Sequence, residues 1–302
     1  MVRPRSFPRR LLGGSADANG VATARPVPSP PRITDRDALL ARVKELGGWM
    51  YRFDVGAGVT TALYDDYLES IHRTRSAMIF PRLEAMFAGR WRDARCLNVA
   101  CNEGFFAFEL ARRGAGRVIA FDVRELNIRK AAFVRAQLGL TQVELRVDDL
   151  YSMSRERYGE FDITLCLGLL YHVEDVMGAL RRLRAVTRGV LVIDTEVVRP
   201  GSRAIIDRGP AEGVVETEDV LAIVAEEGWE WNPLASVTGL SIVPNLSALR
   251  TMLKHAGFAD VEVVPPPPSL DDGGGGEVAS RYRDGERVIL FARVASAAPA
   301  SA

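Results

Sequence analysis

The sequence predicts an α/β protein in which short strands alternate with helices around a largely parallel sheet, preceded by an N-terminal cap and interrupted by one lid-like insertion. Three observations point there. Ala94 to Val123 reads as strand, tight turn, helix and second strand, with the second strand ending on Asp122. From Leu126 to Val264, apolar runs of strand length alternate with stretches of helical spacing. Residues 197–243 break that alternation with Pro, Gly and mixed polarity, and so long a connection in a compact domain marks a lid or an acceptor-binding insert.

The turn restricts the ligand. Cys96 to Ala100 is an apolar run, Cys101 to Gly104 the turn, and Phe105 to Arg113 a helix stopped by Gly114. A dinucleotide fold needs G-x-G-x-x-G so that backbone amides can approach a pyrophosphate. Here Ala100, Asn102 and Phe105 hold the glycine positions, which disfavours a pyrophosphate. S-adenosylmethionine carries no phosphate and requires only a small-residue turn and an acid at the next strand end for its ribose. Asn102 tolerates a left-handed backbone, Gly104 is expected to keep the closest approach open, and Asp122 stands about 18 residues beyond Gly104, where such an acid belongs.

The 39 Lys and Arg balance 39 Asp and Glu, so no global basic excess draws the chain to nucleic acid, and no apolar run nears the roughly 20 residues of a membrane helix. A soluble, cytoplasmic protein is expected, with no membrane partner. Cys96, Cys101 and Cys166 lie in or beside predicted core strands; their spacing makes neither a disulfide framework nor a zinc site, so no metal is expected.

In chain order, residues 1–32, rich in Pro, Arg, Gly and Ala, are expected to be a disordered tail. Residues 33–92 form the cap: a helix opened by Thr34-Asp35-Arg36-Asp37, an extended arm over Trp49 to Phe53, a helix from Tyr64 to Met78 and a shorter one starting near Pro81. The main domain, 93–296, continues with a helix over Leu126 to Gly139 and a third strand over Val143 to Val147. That strand ends at Asp148-Asp149-Leu150, where an acid can accept from an adenine amino group. Asp149 fits the spacing better than Asp148, and the bland alternative is an Asp capping the next turn. Phe161 to Gly168 is the fourth strand, and ligands in open α/β sheets bind beyond strand carboxyl ends, so Gly168 to His172 should face the transferring methyl group. A helix over Met177 to Arg188 and a fifth strand over Val190 to Ile193 lead to Asp194 and Glu196. Within the insertion, Glu216 to Gly228 has a mixed helical pattern, followed by Trp229 and Trp231, expected to frame the acceptor pocket. Pro244-Asn245-Leu246-Ser247 starts another helix, Val261 to Val264 is a sixth strand, Arg287 to Val294 a seventh, and 297–302 a tail.

The segment Asn98-Val99-Ala100-Cys101-Asn102-Glu103-Gly104 resembles motif I of class I methyltransferases, D-x-G-x-G-x-G after a strand, with Asn98 in place of the acid. From about Trp49 to Val264 the chain is similar to the tRNA wobble-uridine carboxymethyltransferase family and its methyltransferase relatives. Trp49-Met50-Tyr51-Arg52-Phe53, Cys101 to Phe106, Leu167-Gly168-Leu169-Leu170-Tyr171-His172, Val243 to Leu249 and Ala256-Gly257-Phe258 carry the likeness. The resemblance implies a Rossmann-like seven-stranded, mostly parallel sheet with an antiparallel last strand, S-adenosylmethionine or its carboxylated form as donor, and Tyr171 near the transferred group. It also implies a donor cradle of Asn98, Ala100, Cys101, Asn102, Gly104, Asp122, Val123, Asp148, Asp149, Leu150, Leu167 and Gly168. The tRNA enzymes place a lysine before motif I to meet the extra donor carboxylate, whereas Tyr64 to Trp91 here carries Arg73, Arg75, Arg82 and Arg90 and no lysine.

The expected function is methyl transfer to an oxygen or nitrogen of a small-molecule acceptor. Transfer to tRNA is the rival enzyme activity, and a donor-binding module without catalysis the rival of another class. His172 is the candidate base by position, since imidazole titrates near neutral pH, or else a structural histidine at the start of a helix. Tyr171 either orients donor or acceptor or packs against the donor. Asp194 and Glu196 hold a cationic or hydroxylated acceptor or are solvated loop acids.

Overall fold

The computed structural model describes residues 26–208, 212–226, 236–270 and 276–295. In chain order the elements are α1 (Arg36–Glu45), β1 (Asp54–Gly56), β2 (Val59–Thr60), α2 (Tyr67–Met86), β3 (Arg95–Val99), α3 (Phe105–Arg112), β4 (Arg117–Asp122), α4 (Glu125–Leu138) and β5 (Val143–Val147). There follow α5 (Arg155–Tyr158), β6 (Phe161–Leu167), α6 (Val176–Val186), β7 (Thr187–Glu196), β8 (Ala204–Asp207), β9 (Val214–Thr217), β10 (Leu221–Ala225) and β11 (Leu240–Pro244). The chain ends in α7 (Leu246–Ala256), β12 (Asp260–Val264), α8 (Gly276–Arg283) and β13 (Arg287–Arg293).

Seven strands form one sheet in the order β12-β13-β7-β6-β3-β4-β5. β5, β4, β3, β6 and β7 are parallel, and β13 runs antiparallel between β7 and β12. This is the expected mostly parallel sheet with its antiparallel last strand. The central strands are buried on both faces, β3 as Cys96, Leu97, Asn98 and Val99 and β6 from Ile163 to Leu167, the near-continuous apolar pattern that helices on both sides require. The order reverses between β3 and β6, so the carboxyl ends of those strands open a crevice at the switch point.

Asp35 caps α1 by accepting from the Ala38 N–H (2.8 Å), and Asn245 caps α7 by accepting from the Ala248 N–H (2.8 Å). α2 corrects an expectation: in place of a helix to Met78 and another from Pro81, one helix of 20 residues contains Pro81. Proline forfeits one backbone bond, yet Met78, Ile79, Phe80 and Leu83 are buried around it, and their packing carries the helix through. The insertion differs too. The pattern expected over Glu216 to Gly228 is not helical in its described part, up to Glu226: β9 pairs antiparallel with β8, and β10 pairs antiparallel with β11 from Leu221↔Pro244 to Ala225↔Leu240. Part of the expected tail is also engaged, since Pro26 bridges Arg146 and the Val27 N–H donates to the Leu145 carbonyl (2.7 Å) along the β5 edge. Trp229, Trp231 and residues 297–302 lie outside the described residues.

The cap is bolted to the motif I turn by a buried ion pair. Glu103 Oε1 accepts from Lys130 Nζ (2.9 Å), while Oε2 accepts from the backbone N–H groups of Met50 (2.9 Å) and Tyr51 (3.1 Å). Lys130 also donates to the Gly48 carbonyl. Among the described residues no helix is long and apolar enough to cross a membrane.

Candidate active site

A cavity of about 320 Å³ opens at the carboxyl ends of β3, β4, β5 and β6. Its floor is the motif I turn. Ala100 (φ 48°) and Asn102 (φ 50°) take left-handed backbone with no glycine, and Gly104 (φ 86°) begins α3. Ala100 and Asn102 line the cavity; Gly104 does not. A Cβ on Gly104 would lie 2.7 Å from the Phe108 ring and 3.3 Å from Ala131, so this glycine serves α3 packing on α4 and not, as expected, close approach by a ligand. Cys101 and Asn98 are buried behind the floor and do not line the cavity. The Cys101 N–H donates to the Phe121 carbonyl (2.8 Å), which ties the turn to β4, and burial pushes its thiol well up.

Asp122 closes β4 and lines the cavity beside Val123. Its Oδ2 accepts from the Asn102 N–H (2.9 Å), its Oδ1 from the Arg124 N–H (2.9 Å) and Asn127 Nδ2 (3.2 Å). Burial raises its pKa, and these donors oppose the rise. At the end of β5, Asp148, Asp149 and Leu150 all reach the cavity, but the two acids differ. Asp148 already accepts from the Tyr158 hydroxyl (2.5 Å), Arg157 (3.1 Å) and the Asp149 N–H (2.9 Å). Asp149 accepts from the Tyr151 N–H (2.9 Å), the capping contact of the alternative reading, and among the described residues its second oxygen takes no donor.

The cap supplies the opposite wall. Leu68, Ile71, His72 and Arg75 line the cavity at i, i+3, i+4 and i+7 of α2, beside Met50 and Tyr51. His72 stacks on Tyr51 (centroids 3.9 Å) and its Nε2 lies 2.8 Å from the Met50 carbonyl; burial, reinforced by Arg75, drops its pKa to about 3, so it is neutral. That helical stripe was the signal that could have placed His72 and Arg75 in the site from sequence.

Gly168, Leu169, Tyr171 and His172 line the third side beside Leu167, whereas Leu170, expected to face the site with them, is buried in the core behind it. Tyr171 sits beneath the Arg287 guanidinium, 5.1 Å from its ring centroid. Asp194 does not face an acceptor. It is fully buried and accepts from Arg287 (2.7 and 2.9 Å), Arg75 (2.7 Å) and the Tyr282 hydroxyl (2.8 Å). Burial alone would raise its pKa, but the two guanidinium groups outweigh it and hold Asp194 at about 2. Glu196 does line the cavity, 3.0 Å from Arg281 and 3.3 Å from Arg287. The insertion adds Ser236, Val237 and Thr238 to the lining, and behind them Glu226, which approaches His172 Nδ1 to 2.9 Å. Nothing in the sequence marked Glu226, because its partner lies 54 residues away.

The floor fits an S-adenosyl donor on its own evidence. An acid stands at the end of β4 and another at the end of β5, the apolar Leu150 follows the second, and Asn102 Oδ1 is buried without a hydrogen-bond partner among the described residues, an acceptor suited to an ammonium group. Among the described residues no group of three or more His, Cys, Asp or Glu is arranged to hold a metal ion.

Comparison with known proteins agrees with this geometry. The profile of a family described as "Methyltransferase domain" matches residues 92–245. The tRNA U34 carboxymethyltransferase of Campylobacter jejuni subsp. jejuni serotype O:6 (strain 81116 / NCTC 11828) is 27% identical over 173 residues, 55% of this chain and 50% of that protein. That of Helicobacter pylori (strain G27) is 27% identical over 180 residues, 57% of this chain and 59% of that protein. The chain thus spans about half the length of the curated relatives it matches. Among solved structures, the N-terminal domain of EvdMO1 in the presence of S-adenosylhomocysteine (SAH) and D-fucose superposes with a TM-score of 0.63 at 25% identity, covering 88% of this chain and all of that one. An S-adenosylmethionine dependent methyltransferase from Mesorhizobium loti shares the fold at 22% identity and TM-score 0.52, over 73% of this chain and 99% of that one. With half of the chain under the family profile, the protein belongs to the methyltransferase domain family, and its seven-stranded sheet is the fold of the S-adenosylmethionine dependent methyltransferases.

Proposed function

We propose that this enzyme transfers a methyl group to a hydroxyl oxygen, or an amine nitrogen, of a small polar molecule held between the cap and the insertion. The observation that carries this is the enclosure of the cavity: α2, Met50 and Tyr51 on one side and Ser236 to Thr238 on the other leave a space of small-molecule size beside Tyr171 and His172. The EvdMO1 domain, crystallised in the presence of D-fucose, covers this chain far more fully than the tRNA enzymes do, which favours a sugar-like acceptor.

The donor supplies an already activated methyl group, so the chain has to align the acceptor, exclude water and take one proton. Asp122 is placed to accept from the ribose hydroxyls, and Asp149, with its second oxygen, from the adenine amino group beside Leu150 and Val123. Ala100, Asn102, Leu167 and Gly168 shape the amino-acid end of the cradle, while Asn98, Cys101 and Gly104 support it from behind. His172 takes the acceptor proton, and Tyr171 orients the acceptor from the wall it shares with Arg287.

A second reading, tRNA wobble-uridine modification, is favoured by the activity named for the Campylobacter and Helicobacter relatives. It gains from Arg75 and Arg287, two guanidinium groups at the cavity wall that an extra donor carboxylate would meet. Purified protein incubated with methyl-labelled donor, and separately with D-fucose and bulk tRNA, separates the readings. Label on the sugar is the expected result. Label on tRNA establishes the second reading, and donor binding without transfer to either acceptor or to a metabolite extract contradicts both.

A further inference from the structure

The insertion brings one carboxylate onto the candidate base. His172 follows the carboxyl end of β6 in a short helical turn, whereas Glu226 follows the last residue of β10. The two meet with Nδ1 2.9 Å from Oε2 and 3.1 Å from Oε1, both side chains about one-fifth exposed. Glu226 is itself held from behind: Oε2 accepts from the Ser236 N–H (2.8 Å) and Oε1 from the Ser241 hydroxyl. Among the described residues His172 Nε2 takes no hydrogen-bond partner, while the ring lines the cavity. An imidazole whose Nδ1 faces a carboxylate carries its proton there and presents Nε2 as a lone pair.

We infer that Glu226 is a positioning residue for the base: its carboxylate fixes His172 in the Nδ1–H form, aims Nε2 at the acceptor, and stabilises the imidazolium that forms during transfer. The inference rests on the reading of His172 as the base in the proposed reaction. In that step the acceptor O–H bond breaks and its proton goes to Nε2, the oxygen electron pair forms the bond to the methyl carbon, and the carbon–sulfur pair stays on sulfur as a neutral thioether. A positive charge leaves the donor as another appears on His172, so a fixed carboxylate 2.9 Å from Nδ1 acts on the group whose charge changes.

The surrounding charges agree. Burial lowers the His172 pKa; Glu226 and, at longer range, Glu196 pull it up, and Arg287 pushes it down. The net direction is down, so the ring is neutral and able to accept a proton near pH 7. Burial would raise the Glu226 pKa, but its bonds from Ser241, Ser236 and His172 outweigh it, so the carboxylate stays ionised. The neighbouring Tyr171 ring, 4.1 Å away, bounds the other side of the imidazole.

The chain contains three histidines, so nitrogen-15 spectra can assign each ring and its tautomer. In wild-type protein with SAH added, His172 is expected in the Nδ1–H form. In Glu226→Gln its titration midpoint is expected to fall by roughly half a pH unit or more, because the stabilising charge is gone, with SAH affinity by calorimetry within about twofold of wild type. A wild-type His172 in the Nε2–H form overturns the inference without any variant, as does an unmoved midpoint in folded Glu226→Gln. Failure of SAH to bind wild-type protein would instead strike the proposed function and leave the tautomer result standing.

Discussion

His72 shows how much one buried ring can control. Its Nε2 lies 2.8 Å from the Met50 carbonyl, its Nδ1 is buried without a hydrogen-bond partner among the described residues, and burial holds its pKa at about 3. The unfolded chain protonates this ring below about pH 6.5 while the folded chain does not, so stability is lost as pH falls from about 6.5 towards 3. The stability difference between wild type and His72→Gln, from urea titrations across that range, is expected to shrink with falling pH at a limiting slope of about 1.4 kcal/mol per pH unit. A pH-independent difference would show that the ring titrates normally. Asp122 and Glu103, whose pKa values burial raises, act in the opposite sense, which is why the comparison with the variant is required. At this scale the sequence exposed Asp122, Tyr171 and His172 through their positions at strand ends. It could not expose Glu226, just after β10, or Arg287, on β13, which reach the site from far away in the chain, nor show that Asp194 is consumed by two arginines.

The elements depend on one another through Glu103, on the turn before α3, and Lys130, in the middle of α4. The pair is almost wholly buried and holds the Gly48 to Tyr51 arm of the cap through three backbone groups. Removing one partner strands the other charge in the interior, so Lys130→Met is expected to destabilise the fold by about 3–5 kcal/mol, and Lys130→Met with Glu103→Gln to recover most of that. Chemical denaturation checks both; a single variant as stable as wild type would mean that the pair is not what joins cap to turn. Periodicity located the sheet strands within a residue or two, apart from β7, which runs three residues beyond the expected strand at each end. It failed in the insertion, where β10 is a strand only because β11 lies beside it, and at α2, where burial of the helix face overrides Pro81.

The whole molecule carries no net charge, yet its cavity wall gathers Arg75, Arg281 and Arg287 against Asp194 and Glu196. Those guanidinium groups are matched by carboxylates and not gathered into a face that could neutralise several phosphates. An enzyme that grips RNA through several phosphates loses affinity steeply with salt, by about a thousandfold or more between 50 and 200 mM for six or more contacts. Transfer to a small acceptor is expected to change by less than about threefold over that range. A steep salt dependence of turnover would favour the tRNA reading. The central claim is that the β3–α3 turn and Asp122 hold an S-adenosyl donor, and its most direct test is calorimetric titration of SAH into wild-type protein and Asp122→Ala. One site per chain, weakened about tenfold or more in a variant that still unfolds cooperatively, is the predicted result; no binding to well-folded wild type, or equal affinity in both proteins, would contradict it.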